Sequence, residues 1–130
     1  MKTIALIDSS ALIGGLPAEV LKHLESYCSS MIVRAELAFG LRTFETSGHA
    51  ERAARRETLL HALDSIPGFW RDFDEAASDG YATLTAESKQ AMRLKDALIA
   101  GHAQSLGIAI LTRDSGFTRF RSVQVDLLGA

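Results

Sequence analysis

Cysteine is almost absent from this chain, in which Cys28 stands alone among 130 residues. A single cysteine excludes an intramolecular disulfide and a thiolate metal cluster, and it fits a reducing cytoplasm. Long apolar runs are missing as well. The amino-terminal run Thr3-Ile4-Ala5-Leu6-Ile7 is stopped at once by Asp8, which makes it too short for the apolar region of a signal peptide or for a membrane span. A soluble, cytoplasmic protein with no membrane partner is therefore expected. There is no basic excess either: 14 Lys and Arg against 16 Asp and Glu give a formal net charge of −2. That balance argues against a strongly basic nucleic-acid binder of the usual kind. If four acids were neutralised by metal, the rest of the surface would be mildly basic. No internal repeat or low-complexity linker divides the sequence.

What is present is a hydrophobic content of 47% over a length suited to one compact domain spanning residues 1–130. Short apolar runs of strand type alternate with helical patterns. Strands are expected over Thr3–Ile7, Ser29–Val33, Phe69–Phe73, Ile108–Leu111 and Val123–Leu128. Helices are expected over Ser10–Gly15, Pro17–Leu24, Arg34–Phe44, Ala50–Leu63, Ala76–Leu84 and Lys95–Leu106. Ser47-Gly48, Pro67-Gly68 and Gly107 punctuate them, and Asp74 reads as a helix cap. This alternation predicts an α/β fold, with a central parallel sheet of four to five strands and right-handed crossovers that set helices on both faces. His23, His49, His61 and His102 share no spacing and read as surface residues, and Arg52, Arg55 and Arg56 as a solvated helix face. Trp70 and Phe73 read as packing residues, and Phe117 and Phe120 as covering the end of the sheet.

Four acids stand out against this background. Asp8 directly follows the first strand and Asp114 closes the Ile108–Leu111 strand, so both lie at carboxyl ends of strands, where open α/β sheets place ligands. Glu36 falls within the stripe Val33, Leu37, Gly40, Leu41 and Phe44, and Asp96 is in register with Ile99, Ala100 and Ala103. Helical phase thus turns both carboxylates inward. An inward carboxylate needs a cation, several hydrogen-bond donors or a raised pKa. Helix capping is the competing account of each Asp, and pairing with Arg34 or Arg42 is the competing account of Glu36. Joint placement favours a common site, since parallel strands would bring all four to one edge of the sheet.

These residues, taken in order, resemble a known family. Asp8-Ser9-Ser10-Ala11-Leu12-Ile13, Arg34-Ala35-Glu36-Leu37-Ala38-Phe39-Gly40-Leu41, Asp96-Ala97-Leu98-Ile99-Ala100 and Leu111-Thr112-Arg113-Asp114-Ser115-Gly116-Phe117 look like the ordered motifs of PIN-domain ribonucleases. Within that group they are most similar to VapC toxins of toxin-antitoxin pairs, and the likeness runs nearly end to end. The resemblance implies a four-carboxylate site for Mg²⁺ or Mn²⁺ built from Asp8, Glu36, Asp96 and Asp114, oxygen ligands that suit such hard ions. It implies hydrolysis of an RNA phosphodiester to a 5′-phosphate and a 3′-hydroxyl. It gives Ser10 and Thr112 supporting roles, orienting Asp8 or a water, with capping as the alternative for both. Many relatives carry an acid where this chain has Gly116, which argues against a stably occupied second metal site. Transfer RNA is the first substrate expectation and ribosomal RNA the second. The resemblance further implies a homodimer and a VapB-type antitoxin whose tail occupies a groove beside the site. Leu12, Leu16, Phe39 and Phe44 are candidates for that groove, with core packing the preferred reading of each.

Phosphate must reach an acidic site, and Arg34, Lys95 and Arg113 each lie within two positions of an expected ligand. They are candidates for RNA backbone contact, or else they balance the carboxylates. Alternative functions are a PIN nuclease of RNA processing that is not a toxin, and a catalytically silent PIN-fold binding module. Retention of all four acids argues against the latter. A phosphorylatable receiver domain fits poorly, because the first strand yields only Asp8 and no lysine follows Lys95.

Overall fold

The computed structural model describes residues 2–88 and 93–129. In chain order the elements are β1 (Ala5–Ile7), α1 (Ser9–Gly14), α2 (Ala18–Lys22), β2 (Tyr27–Ser30), α3 (Met31–Thr46), α4 (Ala50–Asp64), β3 (Trp70–Arg71), α5 (Glu75–Glu87), α6 (Leu94–Leu106), β4 (Ala109–Thr112) and β5 (Val125–Leu127). Short 3₁₀ turns occupy Leu24–Ser26 and Ser115–Arg119. The sheet has the order β3-β2-β1-β4-β5, and every pairing is parallel. The expected α/β architecture is therefore present, with five strands flanked by helices.

The order of the strands fixes where a ligand can enter. β1 and β4 are neighbours in the middle of the sheet, pairing Ala5 with Ala109 and Ile7 with Leu111, yet the chain leaves β1 toward β2 and leaves β4 toward β5. Connections departing in opposite directions open a crevice outside the carboxyl ends of the two strands. Ala5, Leu6 and Ile7 are wholly buried and Ile110 with them, so β1 and β4 are apolar on both faces, as central parallel strands must be. Polar residues begin where these strands end, at Asp8 and Thr112.

Three expectations need correction. The second strand runs over Tyr27–Ser30 rather than Ser29–Val33, and Ile32 and Val33 lie in the first turn of α3. Ser30 decides this: its hydroxyl accepts the Ile32 amide at 3.1 Å and caps the helix, and this cap with tertiary burial of Val33 outweighs the β-preference of the branched pair. Arg56 does not belong to a purely solvated face. Its guanidinium donates to the Leu37 carbonyl at 3.4 Å and lies 5.3 Å from the centre of the Phe44 ring, joining α4 to α3. The remaining basic residues of that face behave as expected, with Arg55 paired to Glu51 at 3.3 Å.

His102 is the third correction, since it is buried rather than exposed. Almost the whole circumference of α6 between Ala97 and Ala103 is buried, so the helix has no solvent face there to receive a histidine. Its Nδ1 lies 2.8 Å from Ser30 Oγ, and its ring packs edge-on against Phe73 at 5.4 Å. Burial, foremost, and the charge of Arg71 hold the imidazole below its usual pKa, against the opposing charge of Asp74. The folded state therefore favours neutral His102, and this stability is complete above the unfolded value of 6.5 and is lost as pH falls below it toward the depressed folded value. The urea midpoint should fall between pH 7 and pH 5.5, and more steeply in the wild type than in His102→Asn; parallel profiles would contradict this assignment.

Candidate active site

Asp8 is set at the crevice by the end of β1 and by the turn into α1. Its amide donates to the Leu111 carbonyl at 3.1 Å, continuing the ladder with β4 by one residue. Its carboxylate then turns back as the cap of α1, accepting from the Ala11 amide at 3.4 Å and from the Ser10 hydroxyl at 2.9 and 3.2 Å. Asp8 is only 3% exposed. Burial pushes its carboxyl above the ordinary value, against the hydroxyls of Ser10 and Thr112 and the amides of Ala11 and Ser10, which favour the anion.

Ser10 and Thr112 form one unit across the β1–β4 crevice. Their hydroxyls stand 3.2 Å apart, Ser10 Oγ also accepts the Arg113 amide at 2.9 Å, and Thr112 Oγ1 accepts the Asp114 amide at 2.9 Å. The loop carrying Asp114 is thus fastened to the loop carrying Asp8. Asp114 caps the following 3₁₀ turn through the Gly116 amide at 2.8 Å. Gly116 lies tight against that carboxylate, a Cβ there falling 3.0 Å from Asp114 Oδ1, so an acid in its place would crowd Asp114.

Glu36 and Asp96 reach the same region from α3 and α6. Glu36 Oε2 accepts from Ser9 Oγ at 3.2 Å and meets Lys95 Nζ at 3.1 Å, which ties it to the residue after Asp8 and the residue before Asp96. Burial, then the charge of Asp114, and also that of Glu36, raise the Asp96 carboxyl, while Arg93 and Lys95 oppose them. Asp96 therefore feels the charges of both Asp114 and Glu36. Among the described residues, however, no three His, Cys, Asp or Glu side chains stand close enough to form a closed ligand set.

Other sequence candidates take different places. Arg34 turns away from the acids and pairs in a two-pronged contact with Asp64, at 2.9 and 2.8 Å. Trp70 Nε1 donates to that same carboxylate at 2.7 Å. Arg42 likewise pairs with Glu45, at 3.1 Å, so neither arginine is the partner of Glu36. Arg113 donates to the Gly15 carbonyl at 3.2 Å from Nε and 2.6 Å from Nη2. Leu12 and Leu16 belong to the core or pack against it, as expected, whereas Phe44 lies outside the core cluster and contacts the Arg56 guanidinium and the His49 ring. Phe39 lies outside it too, being 74% exposed on α3. Three residues near the acids were not singled out by the sequence. Ser9 bonds Glu36; Arg93 approaches Asp114 at 3.9 Å; and Arg93, Asp96, Gly116, Arg119 and Phe120 line one small cavity. Only Ser9, inside the first acidic motif, carried a signal that could have found it.

Two observations bear on whether these residues suit a divalent ion. The donor set is made of carboxylate oxygens, which hard ions prefer. Glu36 Oε1 is buried and has no hydrogen-bond partner among the described residues, and a buried anionic oxygen in that condition calls for a cation or a donor. The set fits. Because the folded-state carboxyl of Asp96 is raised, the protein gives up stability as pH rises through that value, and neutralising the residue should restore it. Metal-free Asp96→Asn should therefore melt above the wild type at pH 7.5, and added Mg²⁺ should raise the wild type more than the variant. A lower melting temperature for the metal-free variant would contradict the arrangement.

The chain is similar in structure to VapBC2 from Rickettsia felis bound to a fragment of promoter DNA, at 20% identity, with 96% of this chain and 98% of that one covered and a TM-score of 0.77. It is similar to VapBC-5 from Mycobacterium tuberculosis at 23% identity, 97% and 99% coverage and a TM-score of 0.77. DNA-bound VapBC from Salmonella typhimurium gives 22% identity, 97% and 98% coverage and a TM-score of 0.71. Among curated protein sequences no relative is detectable. Among the described residues no helix is long and apolar enough to cross a membrane. The PIN domain model matches residues 5–123, from the first residue of β1 to the approach of β5, and the chain belongs to the PIN domain family.

Proposed function

We propose that this protein is a metal-dependent endoribonuclease acting as the toxin of a toxin-antitoxin pair. PIN domains are generally nucleases, and the observation that carries the reading is the edge formed by Asp8, Glu36, Asp96 and Asp114, with Glu36 Oε1 buried and without a hydrogen-bond partner among the described residues. Mg²⁺ or Mn²⁺ held by these four carboxylates would supply Lewis-acid polarisation of the phosphodiester and a water nucleophile at neutral pH. Ser10 and Thr112 hold Asp8 in one orientation and hold the Asp114 loop against it. Lys95 screens Glu36 through an ion pair whose lysine side chain is 59% exposed.

The toxin assignment draws on the solved structures of similar fold, which are VapBC complexes, so the partners proposed are a VapB-type antitoxin and a second copy of the chain. The proposed compartment is the cytoplasm. The preferred substrate is transfer RNA, with ribosomal RNA second; such choices rest on RNA shape and loop sequence. The Lys95–Glu36 contact favours one other reading, a silent PIN-fold module in which the ammonium takes the place of an ion.

The test is incubation of the purified chain with transfer RNA and ribosomal RNA in Mg²⁺ or Mn²⁺, with the product ends mapped. Fragments bearing 5′-phosphates and 3′-hydroxyls are expected. Intact RNA of both kinds would defeat the enzymatic reading and favour the silent module.

A further inference from the structure

Carboxylates that hold a metal also repel the substrate's phosphates, so the chain needs cations beside the acids whose donors are free to bind. Arg34 is committed to Asp64, Lys95 meets Glu36, and Arg113 spends its guanidinium donors on the Gly15 carbonyl. Arg93 and Arg119 differ. Arg93 comes no nearer than 3.9 Å to Asp114, too far for a hydrogen bond, and its side chain is 79% exposed. Arg119 has no hydrogen bond or ion pair among the described residues and is exposed. Both line the cavity that is also lined by Asp96, Gly116 and the buried Phe120.

From this convergence we infer that Arg93 and Arg119 form a phosphate-binding subsite for the RNA backbone next to the scissile phosphodiester. The inference rests on the nuclease reading and adds residues that deliver the substrate. Guanidinium groups suit it, since each presents a planar fork of donors to phosphate oxygens and stays charged at any working pH. Gly116 matters here too: it lines the cavity with no side chain of its own, so no further carboxylate stands beside the two arginines. Arg93 is the N-cap residue of α6, three residues before Asp96, and Arg119 ends the 3₁₀ turn that Asp114 caps. Each arginine is therefore carried by the same short segment as a proposed metal ligand, so a bound phosphate would be registered against the acids by local backbone geometry.

The experiment is binding of a single-stranded oligoribonucleotide by the full chain, followed by fluorescence anisotropy in Ca²⁺ across a salt series. Arg119→Gln should weaken binding several-fold and the Arg93→Gln/Arg119→Gln double variant by about tenfold or more, with the salt slope shallower by about 0.7 for each arginine removed. Arg119→Lys should retain much of the affinity, and Arg52→Gln, which removes the same charge from α4, should match the wild type. Wild-type affinity in the double variant, or equal weakening by Arg52→Gln, would overturn the subsite while leaving the nuclease reading standing. Failure of the wild type to bind any RNA would overturn both.

Discussion

Asp8→Asn should lower the rate of RNA cleavage at saturating Mg²⁺ by at least about a hundredfold while leaving the circular dichroism spectrum unchanged. Loss of groups that merely orient metal ligands costs about 10- to 100-fold, and loss of a ligand charge should exceed that. Structure should survive, because the amide oxygen of Asn can still accept from Ser10 Oγ and the Ala11 amide, the two contacts by which Asp8 caps α1. What disappears is the buried negative charge, which burial already disfavours. Ser10→Ala separates the two roles. It keeps the charge but removes the hydroxyl that touches Asp8, Thr112 and the Arg113 amide, and a loss of about tenfold is expected. Asp8→Asn cleaving at the wild-type rate would remove Asp8 from the site.

Gly101→Ala should destabilise the protein by about 2–3 kcal/mol, the range for overpacking a well-filled interior. Ordinarily the change would help, since alanine in a helix interior is favoured over glycine by about 1 kcal/mol. Here the sign reverses because α6 and α5 approach through their backbones. A Cβ on Gly101 would meet the backbone of Tyr81 and Gly80, and one on Gly80 would meet the Gly101 carbonyl. Backbone cannot step aside as a flexible side chain can, so the helices would part. Because α6 also carries Asp96, activity should fall with stability. A thermal melt checks the first effect: a fall of about 5–10 °C is expected for a chain of this size, and an unchanged or higher melting temperature would show that the contact is not tight.

Much of this was legible in the chain itself, for reasons that individual residues make plain. A change of period from strand to helix at Asp8 placed that acid at a strand end, and the same change placed Asp114. Helical phase on α3 put Glu36 beside the buried Val33 and Leu37. Local chemistry was reliable where it was self-contained: the Asp74 carboxylate does accept the Ala77 amide at 2.9 Å, and Gly107 does end α6 in the left-handed conformation at φ 68°. The second strand was misplaced because Ser30 is both the last strand residue and the cap of α3, a dual use that an apolar pattern cannot reveal. α6 defeated periodicity differently. Between Ala97 and Ala103 the helix is buried nearly all round and offers no phase to read, so neither the burial of His102 nor the Gly80–Gly101 contact could be seen.

The cations near the acids expose a more general limit. Arg34 and Arg113 are near expected ligands in sequence, but each guanidinium finds a better partner elsewhere, Asp64 in one case and the Gly15 carbonyl in the other. Arg119 becomes a neighbour of Asp96 only when α6 and the turn after β4 are folded together. Proximity along the chain locates a residue's Cα, whereas the direction of a long side chain is decided by its partners.

The central claim is that the four carboxylates act through a divalent ion on RNA. Its most direct test is the cleavage rate of the chelator-treated protein as Mg²⁺ is returned in steps. The account predicts no cleavage without the ion and a rate that rises to saturation as it is restored. Cleavage at the full rate in the presence of chelator would contradict it.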